Sequence, residues 1–149
     1  MKAIRLIALA ACMAATLDAS AQEQEIRLFS HRGGRMEHDE NTLSAFQASY
    51  DAGYRGFETD IRMTRDGALV ITHDSSLERT TDGTGTVEEK TEAEIRRLRT
   101  KQGNKVLFLD ELLEFLKGKE GLYVEFEMKT KPVELYPEER LHAYCDKLY

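Results

Sequence analysis

Apolar and polar positions follow two different periods along this chain. Leu43, Phe46 and Tyr50 recur at i, i+3 and i+7, which predicts an amphipathic helix that Asn41 or Thr42 can cap and Gly53 can stop. In "FETDI" polar and apolar residues alternate instead, which predicts a strand, and "GLYVEFEMKT" repeats that alternation further on. A short apolar stretch, "IRLFS" from Ile26 to Ser30, predicts another strand, and it feeds the glycine- and charge-rich loop "HRGGRMEHDE". After the second strand, the Gly/Thr-rich "RTTDGTG" reads as a turn, since it lacks the full pattern of a phosphate-cradling loop. A short helix follows, opened by a capping box between Thr91 and Glu94. Asp110 is placed to cap a further helix that runs through Lys117 and stops at Gly118. Pro137 stands where a first helical turn accepts proline, and Leu141, Tyr144, Cys145 and Leu148 form the last apolar stripe. Strand, helix, strand, helices, strand, helix is the order of an α/β protein with a parallel sheet, and no repeat or linker divides it.

The first 21 residues stand apart from this pattern. Lys2 and Arg5 precede an apolar run from Leu6 to Leu17, and Ala19-Ser20-Ala21 offers small residues for cleavage, so residues 1–21 are expected to be a secretory signal peptide. A lipoprotein signal ending at Cys12 is the rival reading. The apolar run is too short for a spanning helix, which needs about 20 residues. The expected product, residues 22–149, is an exported, periplasmic or secreted chain of net charge −7 in place of −6, because Lys2, Arg5 and Asp18 leave with the signal. An acidic chain without a basic stripe excludes an ordinary nucleic-acid binder. Only Cys145 remains after cleavage, so stability must come from packing and not from an internal disulfide.

Charge placement adds a second pattern to these elements. Side chains alternate across a strand, so Glu58 and Asp60 share one face while Phe57, Thr59 and Ile61 share the other. With Asp66-Gly67 at the centre of a two-residue hairpin turn, Asp60 is expected to face His73, with Cβ atoms about 5 Å apart. A bulge at Arg65 would move that register by one. In the third strand Glu125, Glu127 and Lys129 share a face, so another acid can join the pair. Crowded carboxylates repel unless a cation lies between them, and oxygen-only ligands select a hard ion such as Ca²⁺ or Mg²⁺. Each residue alone also fits a solvated strand face, a loop histidine or a surface cation, and His38 is expected to be such a solvated loop residue. Two histidines, three acids and two bases at the carboxyl ends of one sheet's strands point instead to a reaction site.

These motifs carry a resemblance. "HRGG", "ENTLSAFQASYDAG", "FETDIRMTRDGALVITHD", "LERTTDGTG" and "EFEMK", in that order from about Leu28 to Lys129, resemble the amino-terminal half of the glycerophosphodiester phosphodiesterases. The resemblance implies the amino-terminal portion of a TIM (β/α)8 barrel with a small insertion after His73. It implies hydrolysis of a glycerophosphodiester to glycerol 3-phosphate and an alcohol, with His31 and His73 as acid and base. Arg32 and Lys129 would bind phosphate, and Glu58, Asp60 and Glu127 would bind the divalent cation. A complete barrel needs about 250 residues. The expectation is therefore a truncated domain over residues 22–149, whose exposed sheet edges favour self-association. A phospholipase C of the phosphatidylinositol type and a non-catalytic half-barrel that binds metal or a polyol phosphate are the alternatives.

Overall fold

The computed structural model describes residues 27–149. The expected signal peptide, the alternative at Cys12 and the start of the first predicted strand at Ile26 lie outside the described residues. Four strands form one sheet: β1 (Phe29–His31), β2 (Gly56–Met63), β3 (Leu69–Ile71) and β4 (Tyr123–Met128). β1 and β4 both run parallel to β2, on its two edges, and β3 returns antiparallel to it. Successive carbonyls of a strand point to opposite edges. The Glu58 and Asp60 carbonyls therefore accept from Arg32 and Thr72 on one side, and the Ile61 carbonyl accepts from Lys129 on the other. β3 thus takes over the edge of β2 that β1 leaves.

The hairpin corrects the expected register. Ile61 pairs with Ile71 and Met63 with Leu69, so Asp60 stands opposite Thr72 and not His73. The turn holds three residues, Arg65, Asp66 and Gly67. Gly67 N–H donates to the Thr64 carbonyl at 3.1 Å, and Gly67 itself takes φ +88°, so the one-residue shift foreseen for a bulge is the one that occurs. Thr64 and Asp66 brace it with a 2.6 Å side-chain hydrogen bond. Gly67→Ala is expected to lower stability by about 1–2 kcal/mol, because an L side chain is strained at that φ, and denaturant unfolding measures the loss.

Helix α1 (Leu43–Asp51) starts at Thr42, whose hydroxyl accepts from Ala45 N–H, and Gly53 follows its end with φ +94°. Its buried stripe is Ala45, Phe46 and Ser49, whereas Leu43 is exposed. The hydrophobic spacing chose the right element and was rotated by part of a turn. Phe46 meets Phe57 edge-on, ring centroids 5.6 Å apart, so α1 covers the Phe57–Ile61 face of β2. Helices α2 (Glu92–Ile95), α3 (Leu109–Leu116) and α4 (Glu138–Leu148) complete the set, and α3 and α4 add Leu112 and Tyr144 to the same core. The Thr91–Glu94 capping box forms as expected. Asp110 does not cap α3: the cap is Phe108, whose N–H is taken by Glu111, because Leu109 already lies in the helix.

β3 separates two cores. Leu69 and Ile71 face the main one, while Val70 on the opposite face packs with Leu77, Val87, Ile95, Val106 and Phe108. This second cluster anchors the segment between β3 and α3. With three helices on one face of β2, the face carrying Glu58 and Asp60 is left for chemistry.

Candidate functional site

Strand register assembles the acids. β1 sets His31 beside Glu58, and β4 sets Glu125 beside Glu58 and Glu127 beside Asp60. Glu58, Asp60 and Glu127 each bring one carboxylate oxygen to within 4.8 Å of the others. His31 Nε2 lies 3.5 Å from a Glu58 oxygen. Glu125 stays outside this group and is exposed.

Asp60 is fully buried and sits between two cations: Arg32 Nε at 3.1 Å from Oδ2 and Lys129 Nζ at 3.1 Å from Oδ1. Lys129 also reaches Glu127 at 2.7 Å. Arg32 is placed by backbone geometry. At the end of β1 the chain turns into the left-handed region at Arg32, Gly33 and Gly34, with φ of 54°, 75° and 94°. A Cβ at Gly33 would stand 2.9 Å from the Ala45 Cβ, so the loop lies directly on α1. In this turn the Arg32 N–H donates to the Glu58 carbonyl at 2.9 Å and lies 3.2 Å from its carboxylate, while the guanidinium folds back over Asp60 and Glu40.

The electrostatics follow from this crowding. Burial, then repulsion from Asp60, pushes the Glu58 carboxyl above its ordinary range, with Glu127 adding to the effect. Burial, then the positive charges of Arg32 and Arg35, holds His31 below the ordinary histidine value, so its neutral imidazole prevails at pH 7. Burial would lower the Lys129 ammonium, but the nearby carboxylates of Glu127 and Asp60 outweigh it and leave the group raised. The donor set fits a hard divalent cation. It is all oxygen, and Asp60 Oδ1 is a buried carboxylate atom without a hydrogen bond, its Lys129 neighbour lying outside hydrogen-bond geometry.

His73 follows β3 and lies within electrostatic reach of His31. Its carbonyl accepts from Arg62 Nε at 2.9 Å. Arg62 is buried in β2, pairs with buried Glu88 at 2.7 Å and donates to the Lys131 carbonyl at 2.8 Å, so one guanidinium ties the His73 loop to the chain just beyond Lys129. Glu88 also accepts from Tyr136 and Ser75, each at 2.6 Å. Burial pushes the Glu88 carboxyl up, but Ser75, Tyr136 and Arg62 more than reverse this and leave it below the ordinary value. A depressed acid stabilises the fold fully above its unfolded value and loses that contribution as pH falls through the folded one. Glu88→Gln should therefore cost on the order of 2 kcal/mol at pH 7. It should also flatten the acid limb of stability below about pH 4.5, read by unfolding curves across pH.

Every residue proposed from the sequence thus lies in this region, at the carboxyl ends of β1 and β4, within β2 beside them, or just past β3. His38 is exposed, as expected, and the predicted turn at "RTTDGTG" is a turn. Four functional neighbours were not assigned from sequence. Asn41 donates to Asp60 at 3.0 Å and accepts from Thr59, Glu40 and Arg79 form a two-pronged ion pair, and Asp74 holds the His73 ring. Asp74 adjoins a histidine and Arg79 lies inside a quoted motif, yet neither position reveals a partner. A cavity of about 660 Å³ opens at the other end of the strands, beside Leu28, Gly56 and Tyr123, far from these groups in the direction of the sheet.

Comparison with known proteins bears on this arrangement. Residues 31–147 match the sequence profile described as the glycerophosphoryl diester phosphodiesterase family. A glycerophosphodiester phosphodiesterase of Caldanaerobacter subterraneus is 37% identical over 123 residues, covering 76% of this chain and 50% of that protein. A crystal structure of a glycerophosphodiester phosphodiesterase from Agrobacterium tumefaciens superposes with a TM-score of 0.67 at 29% identity, covering 83% of this chain and 63% of the other. An Oleispira antarctica phosphodiesterase, solved in complex with its product sn-glycerol-3-phosphate, superposes with a TM-score of 0.70 at 30% identity, covering 83% of this chain and 51% of the other. The chain spans about half the length of the curated relatives it matches.

Proposed function

Because the chain belongs to the glycerophosphoryl diester phosphodiesterase family, we propose that its site cleaves glycerophosphodiesters to glycerol 3-phosphate and an alcohol. The observation that carries this reading is the convergence of an acid trio, within 4.8 Å, with two cations on Asp60 and a histidine 3.5 Å from Glu58. The product in the Oleispira relative is the product proposed for this chain.

In the proposed mechanism His31 and His73 form the acid–base pair. One imidazole removes the proton of the substrate's glycerol 2-hydroxyl, that oxygen attacks phosphorus to form a cyclic phosphate, and the other imidazole protonates the departing alcohol. In the second step the roles reverse and water opens the cyclic ester. Imidazole suits both tasks because its reference pKa of about 6.5 lies near working pH. His31, held neutral, is in the form that accepts a proton. Arg32 and Lys129 orient the phosphoryl oxygens and stabilise the charge that grows on them. Glu58, Asp60 and Glu127 would hold a divalent cation, Ca²⁺ or Mg²⁺, which supplies Lewis-acid stabilisation of the phosphoryl group.

The same proposal makes β1, β2 and β4 the first three strands of the barrel, with the segment between His73 and α3 as the insertion. It includes cleavage of a signal peptide after Ala21 and export, a reading that rests on the sequence and is tested by the amino terminus of the secreted product. It also includes self-association through β4: among the described residues this strand pairs only with β2, and its Tyr123 and Phe126 are exposed.

The direct test follows alcohol release from glycerophosphocholine and from intact phosphatidylinositol, with Ca²⁺ or Mg²⁺ added. The expected result is turnover of the deacylated diester alone. Turnover of the intact lipid would select the phospholipase C reading, and metal binding without turnover of either would select the non-catalytic half-barrel.

A further inference from the structure

The ring of His73, one half of the proposed acid–base pair, is fixed by its neighbours. His73 Nδ1 lies 2.6 Å from Asp74 Oδ1. The other oxygen, Asp74 Oδ2, accepts from Arg79 Nε, and the two remaining nitrogens of Arg79 reach both oxygens of Glu40 at 2.9 and 2.6 Å. Glu40 in turn pairs with Arg32 at 3.2 Å, and Arg32 rests on Asp60. A continuous chain of alternating charge therefore runs from the ring of one histidine to the residue that follows the other. We propose that Asp74 is a positioning residue for the proposed reaction: it holds His73 in the Nδ1–H tautomer, leaving Nε2 to exchange the proton, and the Arg79–Glu40–Arg32 chain fixes Asp74 in turn.

The geometry admits one proton arrangement. An ionised carboxylate only accepts, so the hydrogen between Asp74 and His73 belongs to Nδ1. Burial pushes the Asp74 carboxyl up, but Arg79 and His73 hold it at about 2, so it is ionised at working pH. Arg79 occupies Oδ2, which leaves Oδ1 for the ring. The same reasoning fixes what an amide does. In Asp74→Asn, the single carbonyl oxygen remains with the Arg79 donor, because guanidinium cannot accept, and the NH₂ group turns to His73 Nδ1. That nitrogen must then accept, and the proton moves to Nε2.

The inference rests on the phosphodiesterase reading for its consequence, but not for its test. Nitrogen-15 spectra of the imidazoles of the full chain, labelled at histidine and assigned by single His→Gln variants, report which ring nitrogen carries the proton. The expected result is Nδ1–H for neutral His73 in the wild type, Nε2–H in Asp74→Asn, and retained Nδ1–H in Arg79→Gln, where the carboxylate is loosened but still present. In turnover of glycerophosphocholine, Asp74→Asn should lose about 10²-fold or more in kcat with KM little changed, and Arg79→Gln should lose less. A wild-type His73 carrying its proton on Nε2, or a tautomer indifferent to Asp74→Asn, overturns the inference, and the spectra decide this even for a chain without turnover. Failure of the phosphodiesterase reading shows differently, as an intact tautomer pattern with no cleavage of the diester.

Discussion

Replacing either histidine by glutamine, in His31→Gln or His73→Gln, is expected to lower kcat for glycerophosphodiester cleavage by about 10²- to 10⁴-fold while KM changes little. Neither ring holds a carboxylate of the acid trio together: His31 lies at its edge, half exposed and 3.5 Å from Glu58, and His73 bonds to Asp74. Divalent-ion binding measured by calorimetry should therefore survive both changes, which separates lost proton transfer from a collapsed site. Residues that act on the same proton path are strongly non-additive, so the double variant should fall little below the weaker single one. A loss smaller than tenfold at either position would remove that histidine from the acid–base pair.

Asp60→Asn should abolish binding of Ca²⁺ or Mg²⁺ and lower stability by about 3–5 kcal/mol, the larger structural effect expected of any single change in the site. Asp60 is the one member of the trio that is fully buried, and its two oxygens face Arg32 and Lys129. A neutral amide leaves Arg32, itself buried, without its closest countercharge, with Glu40 alone to compensate. It also donates where an ion would need a lone pair. Calorimetric titration and denaturant unfolding read the two consequences separately. Glu127→Gln is the contrast: its side chain is more than half exposed, so it should weaken the ion with little effect on folding. Ion binding by Asp60→Asn at wild-type affinity would show that the trio is not the metal site.

Periodicity fixes which side of an element is apolar before any partner is known, because backbone geometry sets the spacing of side chains. That is why the sequence alone placed Glu58 and Asp60 on one face of β2, Phe57 and Ile61 on the other, Thr42 or its neighbour at the start of α1, and the capping box at Thr91. It also placed His31, Arg32, His73, Glu127 and Lys129 near strand ends, and the ordered motifs pointed to the family. Positions that depend on local competition were less legible. The hairpin turn could close on two residues or three. Gly67 in the left-handed region with Thr64 bonded to Asp66 selects three, and this single choice moved Asp60 from His73 to Thr72. Helix α3 likewise begins two residues earlier than its capping signal suggested, because Phe108 belongs to the core beneath it.

The elements, their faces and the kinds of chemistry carried on them were legible from the chain alone, since these follow from bonds between near neighbours along it. Which charges meet was settled by the fold. Parallel register brought Glu127 to Asp60, the left-handed turn at Arg32 carried its guanidinium back over Asp60, and folding closed the path from Asp74 through Arg79 and Glu40. Such pairings join residues far apart in the chain, and their strength depends on distance and burial, quantities that exist only once the backbone has been brought together.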